Sequence, residues 1–328
     1  MERPVLVTGG GGFIGRHLVS ALRAQGQCVR VLVRRPDTAR ALASLGAEAI
    51  VGDLLDPAAM RRAVSGVRAV YHLAGRLFIP GSAPKAYARL HVDAPLALLE
   101  ACAAADRFEF FVLCSTTGVQ GPTDTVPARE DDPVNPQNAY ECTKAEGERR
   151  TREFAARARV ALVIARPGLV YGPGDRHLLA WFRAIRAGRY RVIGRGLNHL
   201  HPIYVDDVVR ALLLSASHAT TDGRAYHLVG SRAVTMNELS HAIGVAVGRP
   251  VPRAHLPTAV AYALAAGLEM LPVPRRVLPL TRSRVRFMVQ NRVYDGSRAR
   301  EELGFVPAVE LADGLSRTVA WYRENGLL

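Results

Sequence analysis

Eight residues near the amino terminus, Thr8-Gly9-Gly10-Gly11-Gly12-Phe13-Ile14-Gly15, constrain this chain more than any other feature. They follow the apolar run Val5-Leu6-Val7 and open a segment, Phe13 to Ala24, in which Ile14, Leu18 and Leu22 recur at helical spacing. Gly9, Gly12 and Gly15 fit G-x-x-G-x-x-G, and Gly10, Gly12 and Gly15 fit G-x-G-x-x-G. Either spacing permits a tight turn, lets backbone N–H groups approach a pyrophosphate and lets the helix pack closely on the strand. The positive end of the helix dipole then faces the phosphates. A strand, a glycine turn and an amphipathic helix in that order predict a dinucleotide site, with Gly9, Gly12, Phe13, Ile14 and Gly15 around the phosphates.

The same alternation continues. Val29–Val33, Ala49–Val51, Ala69–Leu73, Phe110–Cys114 and Ala161–Ala165 are short apolar runs separated by helical stretches, among them a long Ala/Leu helix from Tyr87 to Ala105, interrupted near its start by Pro95. Short buried strands alternating with helices predict a doubly wound parallel sheet of Rossmann type. Near residue 167 the rhythm changes to shorter elements between Gly- and Pro-rich loops. The expectation is a dinucleotide domain over 1–167, its sheet completed by segments around 200–230, and a smaller α/β substrate lobe over 168–328. Within that lobe, Thr235-Met236-Asn237-Glu238 has capping-box spacing before the helical run Leu239–Val247. The Ala-rich stretch Ala259–Leu271, bounded by Pro257 and Pro272, is read as a lid or core helix, with contact to a membrane surface as the other reading.

Composition narrows the partners. The formal net charge is +14, but the arginines are dispersed and no nucleic-acid module is present. A basic solvated face, or a basic mouth that attracts a phosphorylated cofactor, fits better. No apolar run is long enough to span a bilayer, and no secretory leader is visible. Cys28, Cys102, Cys114 and Cys142 lack metal-ligand spacing and a disulfide pattern, so the expectation is a cytoplasmic protein with no metal.

The second strand ends in Val33-Arg34-Arg35, where a carboxylate commonly meets a free ribose 2′-hydroxyl. Two guanidinium groups suit a 2′-phosphate, so Arg34 and Arg35 favour NADP(H). If both are only solvated and Asp37 reaches the ribose, NAD(H) is the cofactor. Asp53 and Leu54 follow the third strand and are placed at the adenine. Leu73, Ala74 and Gly75 end the fourth and are placed under the cofactor.

Tyr140 and Lys144 stand at i and i+4, on one face of a helix. An ammonium beside a phenol lowers the phenol's pKa from about 10 toward working pH. Such a phenol exchanges a proton with a substrate oxygen while a hydride moves, and the same lysine can hold the nicotinamide ribose. The strand end Cys114-Ser115-Thr116-Thr117-Gly118 offers hydroxyls to the same oxygen.

Taken together, these motifs resemble the extended short-chain dehydrogenase/reductases, in the epimerase/dehydratase and 3β-hydroxysteroid dehydrogenase-like branch. The resemblance runs nearly end to end and includes Arg166-Pro167-Gly168, Tyr204-Val205-Asp206-Asp207-Val208 and Leu303-Gly304-Phe305. It implies a homodimer acting on a small-molecule substrate. Tyr140 would be the acid/base, Lys144 its tuner and ribose anchor, and Thr116 the hydroxyl on the reacting oxygen with Ser115 assisting. Pro167 would lie in the cofactor site and Thr117 near the substrate. Two positions depart from the family pattern: Gln120, where a tyrosine is frequent, and His91, where an asparagine is common. As a helix-interior histidine, His91 is assigned a structural role, and Cys142 is assigned to packing.

Substrate class divides two ways. Nucleotide-sugar members often carry an arginine ahead of the Tyr-Val pair; here that position is Leu200, which cannot pair with a phosphate. Against this, Arg284 and Arg286 lie near where such members place another phosphate-binding arginine. The favoured expectation is hydride transfer between the nicotinamide and a hydroxyl/ketone substrate. A redox-neutral nucleotide-sugar epimerase or dehydratase is the alternative, and a non-catalytic dinucleotide-binding protein the minor one.

Overall fold

Runs of Val, Leu, Ile and Phe too short and too continuous for amphipathic helices assemble into a seven-stranded parallel sheet. The computed structural model describes residues 3–105, 107–123, 126–252 and 254–328. The strands β1 (Val5–Thr8), β2 (Val29–Val33), β3 (Glu48–Val51), β4 (Ala69–His72), β5 (Phe110–Cys114) and β6 (Leu162–Pro167) belong to this sheet. So does β10 (Arg224–Leu228); the short β7 (Leu169–Tyr171), β8 (His199–Leu200), β9 (Pro202–Tyr204) and β11 (Val234–Thr235) lie outside it. The order β10-β6-β5-β4-β1-β2-β3 reverses direction between β1 and β4, the crevice where doubly wound sheets bind ligands.

One face of the sheet is covered by α1 (Phe13–Ala24) and α8 (Val205–Ala216), with α2 (Pro36–Ala43) near β2 and β3. The other is covered by α3 (Pro57–Val64), α5 (Ala94–Ala103) and α6 (Ala139–Ala158). The short α4 (Pro84–Ala88) precedes α5. Val5, Leu6 and Val7 are essentially unexposed because the sheet is roofed on both sides.

The interruption expected near Pro95 in the Tyr87–Ala105 helix lies just ahead of that proline, at Arg89–Asp93. α4 and α5 are joined by a π-helical turn, Arg89–Asp93. Pro95 sits near the start of α5, where a missing N–H matters least. The widened turn brings His91 O against α6, where only a glycine fits: a Cβ on Gly147 would lie 1.9 Å from that oxygen. π-turns of this kind occur often at functional sites.

The lobe contains α7 (Leu179–Arg186), α9 (Met236–Val247), α10 (Thr258–Glu269), α11 (Arg282–Val289) and α13 (Leu311–Glu324), which packs on α9, while α12 (Ser297–Leu303) returns to the sheet at β10. The predicted capping box at Thr235 and Glu238 is present. The core-helix reading of Ala259–Leu271 is corrected: only Ala261 and Ala265 of α10 are buried, and its other apolar side chains are partly or fully exposed.

Candidate active site

The glycine turn has the shape its spacing requires. Gly9 has φ +74°, and a Cβ there would lie 2.6 Å from Ala74 N. A Cβ on Gly15 would lie 2.2 Å from Gly9 O, so any larger residue would push α1 off the turn. Gly12 begins α1 with no capping side chain, and no acid stands in the first turn. The N–H groups of Phe13 and Ile14 therefore face an open, positively polarised end. A cradle without Cβ atoms at an uncapped helix end fits the pyrophosphate of a dinucleotide.

Around the turn, Arg34 is exposed and has no protein partner among the described residues. Arg35 lies 3.8 Å from Asp37, whose carboxylate is also held by Arg40. Asp37 is thus already engaged by two guanidinium groups. Arg16, which sequence reasoning did not single out, donates to Gly11 O at 3.2 Å and adds a further cation beside the turn. Asp53 is exposed and accepts from Leu55 N at 2.9 Å, while Leu54 is buried. Leu73, Ala74 and Gly75 run from the end of β4 past the glycine turn toward Lys144.

The catalytic candidates converge at the carboxyl end of β5 and the start of α6. Asn138 caps α6 by accepting from Glu141 N at 3.0 Å. Tyr140, Lys144 and Glu148 then follow at four-residue spacing on one face. Lys144 is buried and donates to Cys114 O at 2.9 Å, and burial lowers its pKa. Tyr140 is pushed above the usual phenol range by burial; a hydrogen bond with Thr116 acts in the opposite direction. Burial, and not the Lys144 ammonium, therefore sets the direction here, and that ammonium is bonded to the Cys114 carbonyl.

Thr116 also accepts from Gly118 N at 3.1 Å, which fixes its rotamer beside Tyr140. Ser115 is buried, and its hydroxyl has no hydrogen-bond partner among the described residues. A buried hydroxyl without a partner, one residue before Thr116, has a donor left to give. Thr117 is corrected: it is buried and its hydroxyl donates to Pro167 O at 3.4 Å, so it braces the β6 end rather than facing substrate. Pro167 is buried at that same strand end.

Several contributors were not legible in advance. His91, expected to be structural, lies edge-on to Tyr140 with ring centroids 5.4 Å apart. Its Nδ1 is 2.9 Å from Thr143 Oγ1, and its Nε2 accepts from Arg76 N at 3.1 Å. Thr143 in turn donates to Ala139 O at 2.8 Å, so Nδ1 carries the proton. Burial, then the Lys144 ammonium, push His91 down to about 3, and it is neutral. Tyr87, fully buried, also flanks Tyr140 and accepts from Ile79 N at 2.8 Å. The far end of the α6 face is pinned by the buried pair Glu148–Arg166 at 2.6 Å. Its first turn is tied to the lobe by Glu141–Arg292 at 3.0 Å. That glutamate sits inside the Tyr140–Lys144 motif, but its arginine is 151 residues away.

The two candidate substrate arginines do not share a site. Arg284 is half-buried and its Nη1 donates to Leu278 O and Pro279 O. Arg286 is exposed on α11. Leu200 is 1% exposed, within the lobe core beside Tyr171 and Val205. No group of His, Cys, Asp or Glu among the described residues has a metal-holding arrangement.

The 2-alkyl-3-oxoalkanoate reductase of Stenotrophomonas maltophilia is 33% identical over 96% of this chain and 98% of its own length. Sterol demethylase protein B of Methylococcus capsulatus is 31% identical over 98% of this chain and 99% of its own. Among solved structures, MoeE5 in complex with UDP-glucuronic acid and NAD superposes with a TM-score of 0.75 at 30% identity, covering 98% of this chain and 99% of that one. The names of these relatives span ketone, sterol and nucleotide-sugar chemistry on one scaffold. Since the model of the NAD dependent epimerase/dehydratase family matches residues 5–228, the chain belongs to that family, an extended short-chain dehydrogenase/reductase that works as an oxidoreductase or an epimerase/dehydratase.

Proposed function

We propose that this enzyme interconverts a secondary hydroxyl and a ketone on a largely apolar substrate, with NADP(H) as the partner in hydride transfer. The observation that carries the substrate class is Leu200, buried in the lobe core where a phosphate-binding arginine would be needed. Of the two arginines that could supply a second anchor, Arg284 is bonded to the backbone carbonyls of Leu278 and Pro279, and Arg286 is exposed on α11. The similarity to a 2-alkyl-3-oxoalkanoate reductase and to a sterol demethylase protein supports the same class.

In this reading the bound nicotinamide supplies or takes up the hydride. Tyr140 Oη donates the proton to the nascent alkoxide in reduction and takes it back in oxidation. Thr116 and the orphaned Ser115 hydroxyl hold the reacting oxygen. Lys144 holds its charge behind the phenol and anchors the ribose. His91 and Tyr87 close the site against water around Tyr140. Arg34, with no other partner among the described residues, takes the 2′-phosphate, with Arg35 alongside.

The experiment is a parallel titration of NADPH and NADH, followed by turnover assays with a hydroxysteroid, a 2-alkyl-3-oxoalkanoate and UDP-sugars. NADPH should bind more tightly by about tenfold or more, and Arg34→Asp should reverse the order. Equal binding of both cofactors would reduce the arginines to surface charge. Interconversion of UDP-sugars with no net redox change would replace the oxidoreductase reading with the epimerase one.

A further inference from the structure

Large apolar side chains are unusually exposed along one segment of the lobe. Val260, Leu264, Met270, Leu271, Val273 and Val277 are 45, 51, 87, 50, 42 and 64% exposed. They are six of the fifteen such residues among the described ones, yet fall within an 18-residue stretch. On α10, Ala261 and Ala265 point inward to Ile193 and Val285. Its outward positions, Ala259, Val260, Ala263, Leu264 and Gly267, are all exposed and none is polar. A helix face of this kind, continuing into a turn bounded by Pro272 and Pro274, is apolar surface that water leaves uncompensated.

Charge decides what covers it. Between Ala254 and Tyr294 the chain has six arginines and a single acid, Glu269. That carboxylate is 7% exposed and is held by Arg282 at 2.9 Å and Arg275 at 3.9 Å. Arg292 is buried against Glu141 and Arg284 is bonded to backbone carbonyls, which leaves Arg275, Arg282 and Arg286 exposed around that one buried acid, so the rim is positive with no exposed acid in this segment. A second copy docking through the same surface would set these arginines against one another. Anionic headgroups meet both demands at once, apolar side chains entering the acyl boundary and guanidinium groups meeting phosphates.

We infer that α10 and the Met270–Val277 turn seat this enzyme on an anionic lipid surface. No helix among the described residues is long and apolar enough to cross a membrane, so the contact is peripheral. The seated face borders the catalytic cleft. Gly81, in the loop that leaves Gly75, packs on Arg275, with an added Cβ only 3.5 Å from Arg275 Cβ. That loop is bonded at Arg76 to His91 and at Ile79 to Tyr87, the two rings beside Tyr140. The contact stands whether or not the substrate is apolar; where it is, the lipid side is also the side of entry.

The test is flotation of the full-length protein with vesicles of phosphatidylcholine alone and of phosphatidylcholine with phosphatidylglycerol. The protein should float with the anionic vesicles, and about tenfold less with the neutral ones or at high salt. The variant Leu264→Glu/Met270→Glu should lose anionic-vesicle binding by about tenfold or more. Its melting temperature and its NADPH affinity should match wild type, which certifies that it is folded. Wild-type protein that stays at the bottom of the gradient with both vesicles would overturn the inference. So would a variant that floats as well as wild type. Sedimentation velocity guards the remaining case: a wild-type dimer that these two substitutions separate would assign the surface to a second copy instead.

Discussion

In the sheet-bearing half, Glu148 and Arg166 are both 3% exposed and are bonded to each other at 2.6 Å; in the lobe, the outer face of α10 and the Arg286 side chain are exposed with no partner among the described residues. The first region is closed on itself and the second is built to meet something else. Burial of a charge pair is expensive unless geometry is good, and breaking such a pair by removing one partner typically costs about 3–5 kcal/mol. Residues in the first region are therefore fixed by the fold, and the catalytic face of α6 inherits that rigidity. In the lobe, the exposed apolar and basic side chains are available to a surface or a ligand.

The sharpest way to test the rigid half is at its centre. Tyr140→Phe removes one oxygen from a side chain packed by Tyr87 and His91 and leaves the ring in place. Turnover should fall by about 10² to 10⁴-fold, the scale of a lost general acid/base. NADPH binding, measured by fluorescence titration, should persist. Lys144→Ala should weaken both, because that side chain anchors the ribose as well as the phenol's surroundings. A Tyr140→Phe enzyme within a few-fold of wild type, about threefold by the same scale, would remove Tyr140 from the chemistry.

The same contrast explains how much was legible beforehand. The glycine turn, the strands and the Tyr140–Lys144 pair are encoded in spacings of a few residues, so periodicity and turn chemistry found them. The capping box at Thr235 and Glu238 is likewise three residues wide. The structural role assigned to His91 fits, but its partners could not be read ahead, because Arg76 and Thr143 come from a loop and from α6, 52 residues on in the second case. The π-turn that positions it leaves no signal beyond Gly147, whose missing side chain makes sense only against His91 O. Arg284 looked like a substrate anchor because its bonds to Leu278 O and Pro279 O depend on a backbone path that no pattern of residue types specifies. Thr117 failed for a related reason: its neighbour Thr116 turns toward Tyr140, and the next hydroxyl turns back to β6.

Acid should break the closed half first. His72, His91 and His227 are buried, and burial pushes each down to about 3. The unfolded chain takes up these protons near pH 6.5. Between those values the unfolded state binds more protons, so stability falls as pH is lowered through 6.5 toward 3 and is fully present above it. One pH unit below the unfolded value this amounts to about 1.4 kcal/mol per histidine, or about 4 kcal/mol for the three. Urea unfolding midpoints at several pH values would check it. His227→Gln should flatten the slope by about a third. A midpoint that does not move across this range would show that these imidazoles reach water in the native state.

The smallest expected effect lies in the lobe, at Thr235. Its Oγ1 accepts from Glu238 N at 3.1 Å, while the Glu238 carboxylate accepts from Thr235 N at 2.7 Å. Two N–H groups at the start of α9 are satisfied reciprocally, and α9 buries Met236, Leu239, Ile243 and Val247 in the lobe core. Thr235→Ala removes the cap without touching that core and should cost about 1 kcal/mol. For a chain of this size the melting temperature should drop by about 2 °C. Thr235→Ser should restore it, because the hydroxyl and not the methyl makes the bond. NADPH affinity should be unchanged in both variants, since α9 packs on lobe elements rather than on the glycine turn. If Thr235→Ala instead weakens NADPH binding in proportion to its loss of stability, the lobe and the sheet are energetically coupled. The division into a closed half and an outward-facing lobe would then have to be redrawn through the Glu141–Arg292 tie.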